Sequence, residues 1–234
     1  MNKLEFQKHV NDAFKNISPT FFETIEAYKT FLNESNQTLN LTRLNTEDKI
    51  YGEYFFESII PYKSVDFSKI NFVLDIGSGS GIPGIILKIL YPHINLTIIE
   101  ANTKKCVFLK QLSEQLSINV QILNQRAENI ENTQREMFDL VTSRAVTILP
   151  ILLEISLPYV KVGGMLIEPK SKMGKQEING VEKNIINLGG RLEKILEFSS
   201  INNRFHMVIF VAKVKKTDHS FPRKWTSLLK AFKQ

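Results

Sequence analysis

The stretch that decides the fold of this chain is Phe72-Val-Leu-Asp-Ile-Gly-Ser-Gly-Ser-Gly-Ile-Pro-Gly84. The apolar run over residues 72–76 is typical of a strand that is buried on both faces of a sheet. Four glycines follow within eight residues, and a helical pattern of apolar residues begins at Ile85. Because glycine lets a ligand approach backbone amides and a helix N-terminus, this run predicts the opening of a nucleotide-binding βαβ unit.

Two ligand classes fit this unit. Residues 79–84 read G-x-G-x-x-G, the pattern of a dinucleotide site, so a nicotinamide cofactor is one interpretation. Asp75 lies two residues before the first glycine, where a carboxylate would repel a pyrophosphate but could face a cation. S-adenosylmethionine (SAM) carries an ammonium and a sulfonium group without a phosphate, and the run resembles motif I of class I SAM-dependent methyltransferases. SAM is therefore favoured over NAD, and both are favoured over a ligand-free turn.

The composition indicates a globular protein. The 234 residues, 43% hydrophobic and 23% charged, suffice for one domain with a substantial core. We expect no membrane partner, because no apolar run is long enough to span a bilayer and the N-terminus does not resemble a signal peptide. The single cysteine, Cys106, fits a reducing cytoplasm and reads as a small core residue. The four histidines are scattered, so no metal site is predicted.

Positive charge is concentrated at the C-terminal end. The net charge is +6, and the stretch from residue 213 onward holds seven basic residues against one acid, Asp218. Those basic residues are Lys213, Lys215, Lys216, Arg223, Lys224, Lys230 and Lys233. A neutral body with a basic end predicts a polyanionic partner, although a merely solvated basic end is the alternative.

The order of predicted elements indicates an α/β fold. Helical periodicity over the first 60 residues includes a helix over 47–60, whose aromatic residues 51, 54, 55 and 56 are interpreted as a core stripe rather than as platforms for bases. Strand–helix alternation follows and includes a charged helix over 174–188. Two closing strands are predicted at 191–198 and 205–214, joined by a polar turn over 199–203. The earlier strands are predicted at 72–76, 96–100, 120–123, 138–142 and 165–167. A terminal hairpin suits the Rossmann-like, seven-stranded and mostly parallel methyltransferase sheet better than a six-stranded dinucleotide fold. We predict an N-terminal helical extension (1–65), a methyltransferase domain (66–216) and a basic C-terminal tail (217–234).

Residues at strand ends are candidates for ligand contacts. Glu100 ends the second strand, about twenty residues after the glycines, where an acid accepts hydrogen bonds from ribose hydroxyls. Ala127 and Glu128 follow the third strand. The resemblance to class I methyltransferases implies that this position lies at the edge of the adenine ring. Arg144 follows the fourth strand, where it could hold a methionine carboxylate or a substrate phosphate, or form a plain salt bridge.

Several short motifs occur together in one order. They are Leu39-Asn-Leu-Thr42, the glycine run 74–84, Glu100 with Lys104-Lys105, Arg126-Ala-Glu128, and Phe138-Asp-Leu-Val-Thr-Ser-Arg-Ala145. Over about residues 35–214 they resemble the bacterial 16S rRNA guanine-N7 methyltransferase family called RsmG or GidB. The resemblance implies a target guanine in the decoding-region (530) loop of 16S rRNA, and SAM contacts at Gly77, Ile82, Ala127, Glu128 and Arg144. Asp75, Gly79, Gly81 and Glu100 complete the predicted cofactor site.

The chain departs from the family pattern at three places. Tyr54 and Glu57 stand where the family usually has a His and an Asp, and Lys170 is followed by Ser171 where the family often has a Gly. We predict that Lys170, Arg223 and Lys224 hold RNA phosphates. Guanine N7 has an in-plane lone pair, so its methylation needs no general base. We therefore expect catalysis by proximity and assign no catalytic residue, with Arg144 and Lys170 as candidates for a direct role.

The predicted enzyme is a cytoplasmic monomer that acts on 16S rRNA or the small ribosomal subunit. Three other functions stay open from the residues alone. They are a methyltransferase for another RNA or a small-molecule acceptor, an NAD-linked oxidoreductase, and a non-catalytic RNA-binding protein.

Overall fold

A seven-stranded sheet forms the centre of the chain, with the strand order β3-β2-β1-β4-β5-β7-β6. The computed structural model describes residues 1–144, 146–171, 177–178, 180–199 and 205–232. The first five strands in this order are parallel, and β7 lies antiparallel between β5 and β6. The strands are β1 Phe72–Ile76, β2 Asn95–Ile99, β3 Val120–Leu123, β4 Phe138–Ser143, β5 Val160–Ser171, β6 Gly190–Ser199 and β7 Phe205–Lys213.

The strand order reverses at β1. The chain moves outward from β1 through β2 to β3 and then returns to β4, which pairs with the other side of β1. In open α/β sheets, ligands bind at the carboxyl ends of the strands beside such a reversal. The register sets Asp75 opposite Thr142 and Ile76 opposite Ser143. The glycine run and Arg144 therefore both leave the sheet at this point.

Helices cover both faces of the sheet. One face carries the N-terminal helices with α5 and α6, and the other carries α7, α8 and α9. The helices are α1 Lys3–Ala13, α2 Phe21–Leu39, α3 Glu47–Lys49, α4 Glu57–Ile59, α5 Gly84–Leu90, α6 Thr103–Gln115, α7 Leu149–Ser156, α8 Val181–Asn187 and α9 Trp225–Phe232. The mixed fold with a C-terminal antiparallel pair confirms the predicted fold class.

Local sequence explains where α1 begins and where α2 ends. Asn2 caps α1, since its side chain accepts from the Glu5 amide while the Glu5 carboxylate accepts from the Asn2 amide. Helix α2 ends at Asn40, which adopts a left-handed φ of 49°. Its apolar stripe recurs every three or four residues and is wholly buried at Phe21, Ile25, Tyr28 and Leu32.

A π-helix, Ile50–Phe56, joins α3 to α4. The sequence predicted one regular helix over residues 47–60, but the ordinary hydrogen-bond ladder is replaced here over seven residues. π-Helices are rare and are frequent at functional sites. The aromatic side chains Tyr51, Tyr54 and Phe55 are buried and Phe56 is half-buried against the same core, which confirms their interpretation as core residues rather than as platforms for bases.

The C-terminal segment is docked on the body of the protein. The Arg135 guanidinium donates to the carbonyl oxygens of Phe221 (2.8 Å), Asp218 (3.2 Å) and Thr217 (3.3 Å). Helix α9 packs on α7 and on the apolar layer beneath it, with Leu228 fully buried. The sequence did not predict this helix.

One of the seven basic residues in the C-terminal stretch from residue 213 onward is buried in the protein. Lys213 is buried, and its Nζ donates to the carbonyl oxygen of Leu157 (2.6 Å) and to the Thr217 hydroxyl. Burial lowers the pKa of Lys213 to about 8. Lys215, Lys216, Lys224 and Lys230 are exposed, and Lys233 lies outside the described residues.

Most predicted strand boundaries agree with the structure within two residues. The main exception is β5, which begins five residues earlier than predicted and continues through Gly163 and Gly164. Part of the helix predicted over 174–188, most of the turn predicted over 199–203 and Ala145 lie outside the described residues. Within the described ranges, no helix is long and apolar enough to cross a membrane.

Docking of the C-terminal segment can be tested with Leu228→Ala. Removing this buried side chain leaves a cavity between α9 and α7, so we expect the free energy of unfolding to fall by about 2 to 4 kcal/mol in urea denaturation. The exposed change Lys230→Ala on the same helix should stay within about 0.5 kcal/mol of the wild type. Equal stability of Leu228→Ala and wild type would show that α9 does not pack as described.

Candidate functional site

The loop between β1 and α5 requires glycine. Gly77, Gly79 and Gly81 have φ angles of +67°, +62° and +104°, which side chains other than glycine rarely adopt. A Cβ atom on Gly77 would lie 2.6 Å from a methyl carbon of Val146, and one on Gly81 would lie 2.6 Å from the Tyr28 hydroxyl. We call residues 77–84 the glycine loop. Ile82 lies within it, and its amide donates to the carbonyl oxygen of Ser78 (3.2 Å).

Asp75 holds both ends of the glycine loop from below. Its Oδ2 accepts hydrogen bonds from the Ser78 hydroxyl (2.5 Å) and from the Gly84 amide (2.9 Å). The residue is fully buried, and Oδ1 has no hydrogen-bond partner among the described residues. Burial raises the pKa of Asp75 to about 6. The two hydrogen bonds oppose this shift, and the negative charge of Glu100 adds to it. Direct contact of this carboxylate with a cationic ligand stays a prediction.

Glu100 holds the loop from the side of β2. Its Oε2 accepts from the Gly79 amide (3.0 Å), and its Oε1 accepts from the Asn102 amide (2.8 Å). Each carboxylate oxygen keeps a second lone pair, so Glu100 can accept further hydrogen bonds from a ligand. The sequence predicted Glu100 as the last residue of the second strand, and in the structure it comes directly after β2.

Two tyrosines from the N-terminal helices hold the top of the loop. The hydroxyl groups of Tyr28 on α2 and Tyr54 on the π-helix lie 2.6 Å and 3.0 Å from the carbonyl oxygen of Ser80, and both donate to it. Burial raises the pKa of Tyr54 to about 12 and that of Tyr28 well above its ordinary value, so both stay neutral donors. This contact was not predicted from the sequence, and Tyr54 is one of the departures from the family pattern.

Ala127 and Glu128 lie at the carboxyl end of β3. The carbonyl oxygen of buried Ala127 accepts from the Tyr159 hydroxyl (2.8 Å), which fixes the backbone of this turn. The carboxylate of Glu128 pairs with Arg126, whose guanidinium lies 4.4 Å from the centroid of the Trp225 ring. We call residues 126–128 the β3 turn.

Arg144 points from the end of β4 toward the π-helix. Its Nη2 donates to the carbonyl oxygen of Glu53 (3.0 Å), and its Nη1 contacts the carbonyl oxygen of Tyr54 (3.5 Å) and the Ser58 hydroxyl. Burial lowers the pKa of Arg144, and the negative charge of Glu57 opposes this shift. The guanidinium thus connects the sheet to the π-helix, a geometry that none of the sequence interpretations included.

The three residues predicted to hold RNA phosphates differ in their surroundings. Lys170 is 11% exposed, and its Nζ contacts the carbonyl oxygen of Thr147 (2.7 Å) and the carboxylate of Glu177 (2.9 Å). Arg223 forms a forked ion pair with the buried carboxylate of Glu154, with a closest approach of 2.6 Å. Lys224 is exposed. The structure therefore separates two internally paired cations from one surface cation.

The other two departures from the family pattern lie on neighbouring elements. The Oε2 of Glu57, on α4, lies 3.4 Å from the Nε2 of His206 on β7. His206 in turn stacks on Phe198 of β6, with ring centroids 5.4 Å apart. Ser171 ends β5, and its side chain lies outside the described residues.

A buried carboxyl group on β5 was not predicted as a site residue. The Oε2 of Glu168 accepts from the Ser143 hydroxyl (2.7 Å), and its Oε1 has no hydrogen-bond partner within the described ranges. Burial raises the pKa of Glu168 to about 8, and the charge of Asp75 adds to the shift. Beside it, the hydroxyl groups of Tyr62 and Thr142 lie 2.5 Å apart.

The residues predicted to contact the cofactor thus lie together at one edge of the sheet. Asp75, the glycine loop, Glu100 and Arg144 surround the reversal of strand order, and the β3 turn lies one strand further out. The described residues contain no cluster of three or more His, Cys, Asp or Glu side chains that could hold a metal ion. The site can hold a nucleoside by carboxylate acceptors and by backbone approach at the glycines.

The fold is that of Rossmann-like methyltransferases. A structure of the 16S rRNA (adenine(1408)-N(1))-methyltransferase from Catenulisporales acidiphilia, solved with its cosubstrate SAM, superposes with a TM-score of 0.51 at 12% identity. The match covers 63% of this chain and 87% of that one. At this identity the likeness concerns the fold alone.

Sequence comparison identifies the family. The GidB family model, described as rRNA small subunit methyltransferase G, matches residues 22–206. The ribosomal RNA small subunit methyltransferase G of Ureaplasma parvum serovar 3 is 44% identical and covers 98% of this chain and 99% of its own length. The protein of that name from Bacillus subtilis is 35% identical, with 96% and 95% covered. The chain belongs to the GidB family.

The tyrosine contact can be tested with Tyr28→Phe, Tyr54→Phe and the double variant. Each single change leaves the Ser80 carbonyl oxygen with one donor, so we expect a loss of about 1 kcal/mol in the free energy of unfolding. The double variant leaves a buried carbonyl group without either donor, so its loss should exceed the sum of the singles. Strict additivity in the double-mutant cycle would contradict the shared acceptor.

The buried carboxyl group of Glu168 predicts a pH dependence. Its pKa is about 8 in the folded chain against an ordinary 4.5, so the folded state binds more protons between these values. The stability contribution of Glu168 therefore falls as pH rises through this window. Glu168→Gln should gain at least about 1 kcal/mol relative to wild type between pH 5 and pH 8. Parallel stability curves for the two proteins would show that Glu168 ionises normally.

Proposed function

We propose that this chain transfers a methyl group from SAM to N7 of a guanine in the 530 loop of 16S rRNA. The observation that carries the proposal is the glycine loop, which Asp75, Glu100, Tyr28 and Tyr54 hold at the point where the strand order reverses. Membership of a family described as rRNA small subunit methyltransferase G supports the reaction class and the type of substrate.

The residues around the loop fit SAM. A Cβ atom on Gly79 would meet nothing closer than the Lys105 Nζ at 3.9 Å, so a ligand can approach this part of the backbone. Glu100 accepts from the ribose hydroxyls, and the backbone of Ala127 and Glu128 lies along the adenine. Gly77, Gly81 and Ile82 shape the loop beside the methionine moiety. The bound cofactor supplies an electrophilic methyl group.

Catalysis in this proposal rests on positioning. The lone pair of guanine N7 lies in the ring plane, so no residue has to remove a proton before the methyl group is transferred. The protein then contributes mainly by holding N7 in line with the methyl donor at a short distance. The product ring is cationic, and the negative charge of Asp75 stabilises it through space. Arg144 acts by fixing the π-helix against the sheet.

The substrate in this proposal is 16S rRNA or the small ribosomal subunit, and the enzyme acts as a cytoplasmic monomer. Lys224 is the residue best suited to contact an RNA phosphate, because its amine is exposed. Lys170 and Arg223 have internal carboxylate partners and contribute through the fold. The division into a helical extension, a catalytic domain and a C-terminal segment is kept as part of the proposal.

Gly77→Asp tests cofactor and reaction together. The added side chain is incompatible with φ +67° and collides with Val146, so SAM affinity should fall by more than about 100-fold in titration calorimetry. Nucleoside mass spectrometry of 16S rRNA should find one 7-methylguanosine in cells with the wild-type gene. The modification should be missing in deletion cells and should not return with Gly77→Asp.

The two measurements separate the parts of the proposal. Wild-type protein that binds SAM without any change in the rRNA profile would contradict the guanine target and move the acceptor elsewhere. Wild-type protein that does not bind SAM would contradict the whole proposal. The melting temperature of Gly77→Asp shows whether its loss is local.

Lys224→Ala and Arg223→Ala should behave differently. Lys224→Ala should weaken binding of 16S rRNA and reduce the slope of log binding constant against log salt by about 1. Arg223→Ala removes the guanidinium partner of the buried Glu154 carboxylate and leaves it only the backbone amide of residue 223, so it should lower the free energy of unfolding by about 1 to 3 kcal/mol. Lys8→Ala, which removes an exposed charge from α1, is the matched control. Identical salt slopes for wild type and Lys224→Ala would refute the phosphate contact.

A further inference from the structure

The C-terminal helix contacts the β3 turn through one aromatic ring. Trp225, the first residue of α9, lies against the guanidinium of Arg126 at 4.4 Å from ring centroid to Cζ. The same guanidinium pairs with the carboxylate of Glu128. Arg126 is thus shared between the C-terminal segment and the turn that follows β3.

Glu128 and Arg126 differ in how far their side chains are buried. The side chain of Glu128 is only 6% exposed, whereas that of Arg126 is 47% exposed. A nearly buried carboxylate depends on its cation, because an unpaired charge out of water is costly. An exposed arginine has many rotamers, and the face of Trp225 restricts them by a cation–π contact. Trp225 therefore stabilises the conformation in which Arg126 reaches Glu128.

The backbone on both sides of Trp225 is anchored to the body of the protein. On its N-terminal side, the Arg135 guanidinium donates to three carbonyl oxygens of residues 217–221, and the Glu154 carboxylate accepts from both the backbone amide and the guanidinium of Arg223. After it, Leu228 is fully buried against the layer that contains α7. No α-helix occupies the described connection between β3 and β4, only a 3₁₀ turn at Asn132–Gln134. A distant segment of the chain thus supports the β3 turn.

We infer that Trp225 is a positioning residue for the cofactor and acts through Arg126 on Glu128. The inference rests on the proposed function, because it takes the β3 turn as the adenine edge of the SAM site. The C-terminal segment sets the shape of that edge before the ligand arrives. It therefore changes the affinity for SAM without touching the methyl group or the acceptor.

The variant Trp225→Ala tests this inference by calorimetric titration with SAM. Loss of the ring should raise the dissociation constant for SAM by about threefold to tenfold, the range expected for a cation–π contact. Trp225→Phe keeps an aromatic face and should stay within about twofold of wild type. Ser227→Ala changes an exposed side chain on the same helix and is the matched control. In turnover assays, KM for SAM should rise in Trp225→Ala while kcat stays unchanged.

A second variant keeps the test valid if Trp225→Ala does not fold. Arg126→Gln removes the cation and leaves the aromatic ring and the docking of α9 in place, so it should weaken SAM binding by a similar factor. The chain has one tryptophan, so its fluorescence reports on Trp225 alone. SAM should change the emission of the wild type with the dissociation constant that calorimetry gives, and Arg126→Gln should reduce the amplitude of this change.

Each outcome decides one point. Wild type that binds SAM, with Trp225→Ala and Arg126→Gln binding equally well, would overturn the inference and leave the proposed function standing. A loss in Trp225→Ala without a loss in Arg126→Gln would overturn the route through Arg126. A wild type that does not bind SAM would overturn the proposed function and the inference with it.

Discussion

The rest of the site depends on two hydrogen bonds that the buried carboxylate of Asp75 accepts from the glycine loop. Asp75 Oδ2 ties Ser78 at the start of the loop to Gly84 at the beginning of α5. A loop so rich in glycine has many conformations in isolation, and fixing them costs conformational entropy. The loop therefore depends on anchors outside itself. Glu100 supplies one from β2, and the tyrosine hydroxyl groups supply another from the N-terminal helices.

These anchors explain why segments outside the central sheet belong to the site. The N-terminal helices bury one face of the sheet and deliver Tyr28 and Tyr54 to the loop. The π-helix that carries Tyr54 also presents carbonyl oxygens to Arg144, so the reversal of strand order is joined to the same helix. On the other face, the C-terminal segment reaches the β3 turn. A preformed site of this kind costs less ordering when the ligand binds.

Sequence reasoning succeeded where the pattern is local. The apolar run of β1, the glycines and the acid at the end of the second predicted strand are read within a few residues. The seven-stranded, mostly parallel sheet follows from the alternation and the final hairpin, whereas the strand order itself was not predicted. The length of β5 was underestimated because Gly163 and Gly164 indicate a turn, yet the strand passes through them. The π-helix was missed because its apolar pattern resembles that of an α-helix.

Contacts between distant residues could not be predicted from one sequence. Arg223 was read as a surface cation because its partner Glu154 lies 69 residues earlier in the chain. The Ser80 carbonyl oxygen lies 52 residues from Tyr28, and Arg144 lies about 90 residues from its π-helix acceptors. Charge counting also treated Lys213 as part of a basic surface, although it is buried. The positions of basic residues along the chain do not predict which of them forms an ion pair with a carboxylate in the folded protein.

Amide hydrogen exchange of the cofactor-free protein tests the central claim, a glycine loop held in place before any ligand binds. The amides of Gly79 and Gly84 donate to Glu100 and Asp75, so we expect them to exchange about as slowly as the amides of the sheet. Exchange as fast as in an unstructured peptide, with slowing only after SAM is added, would contradict this account and show that the ligand itself orders the loop.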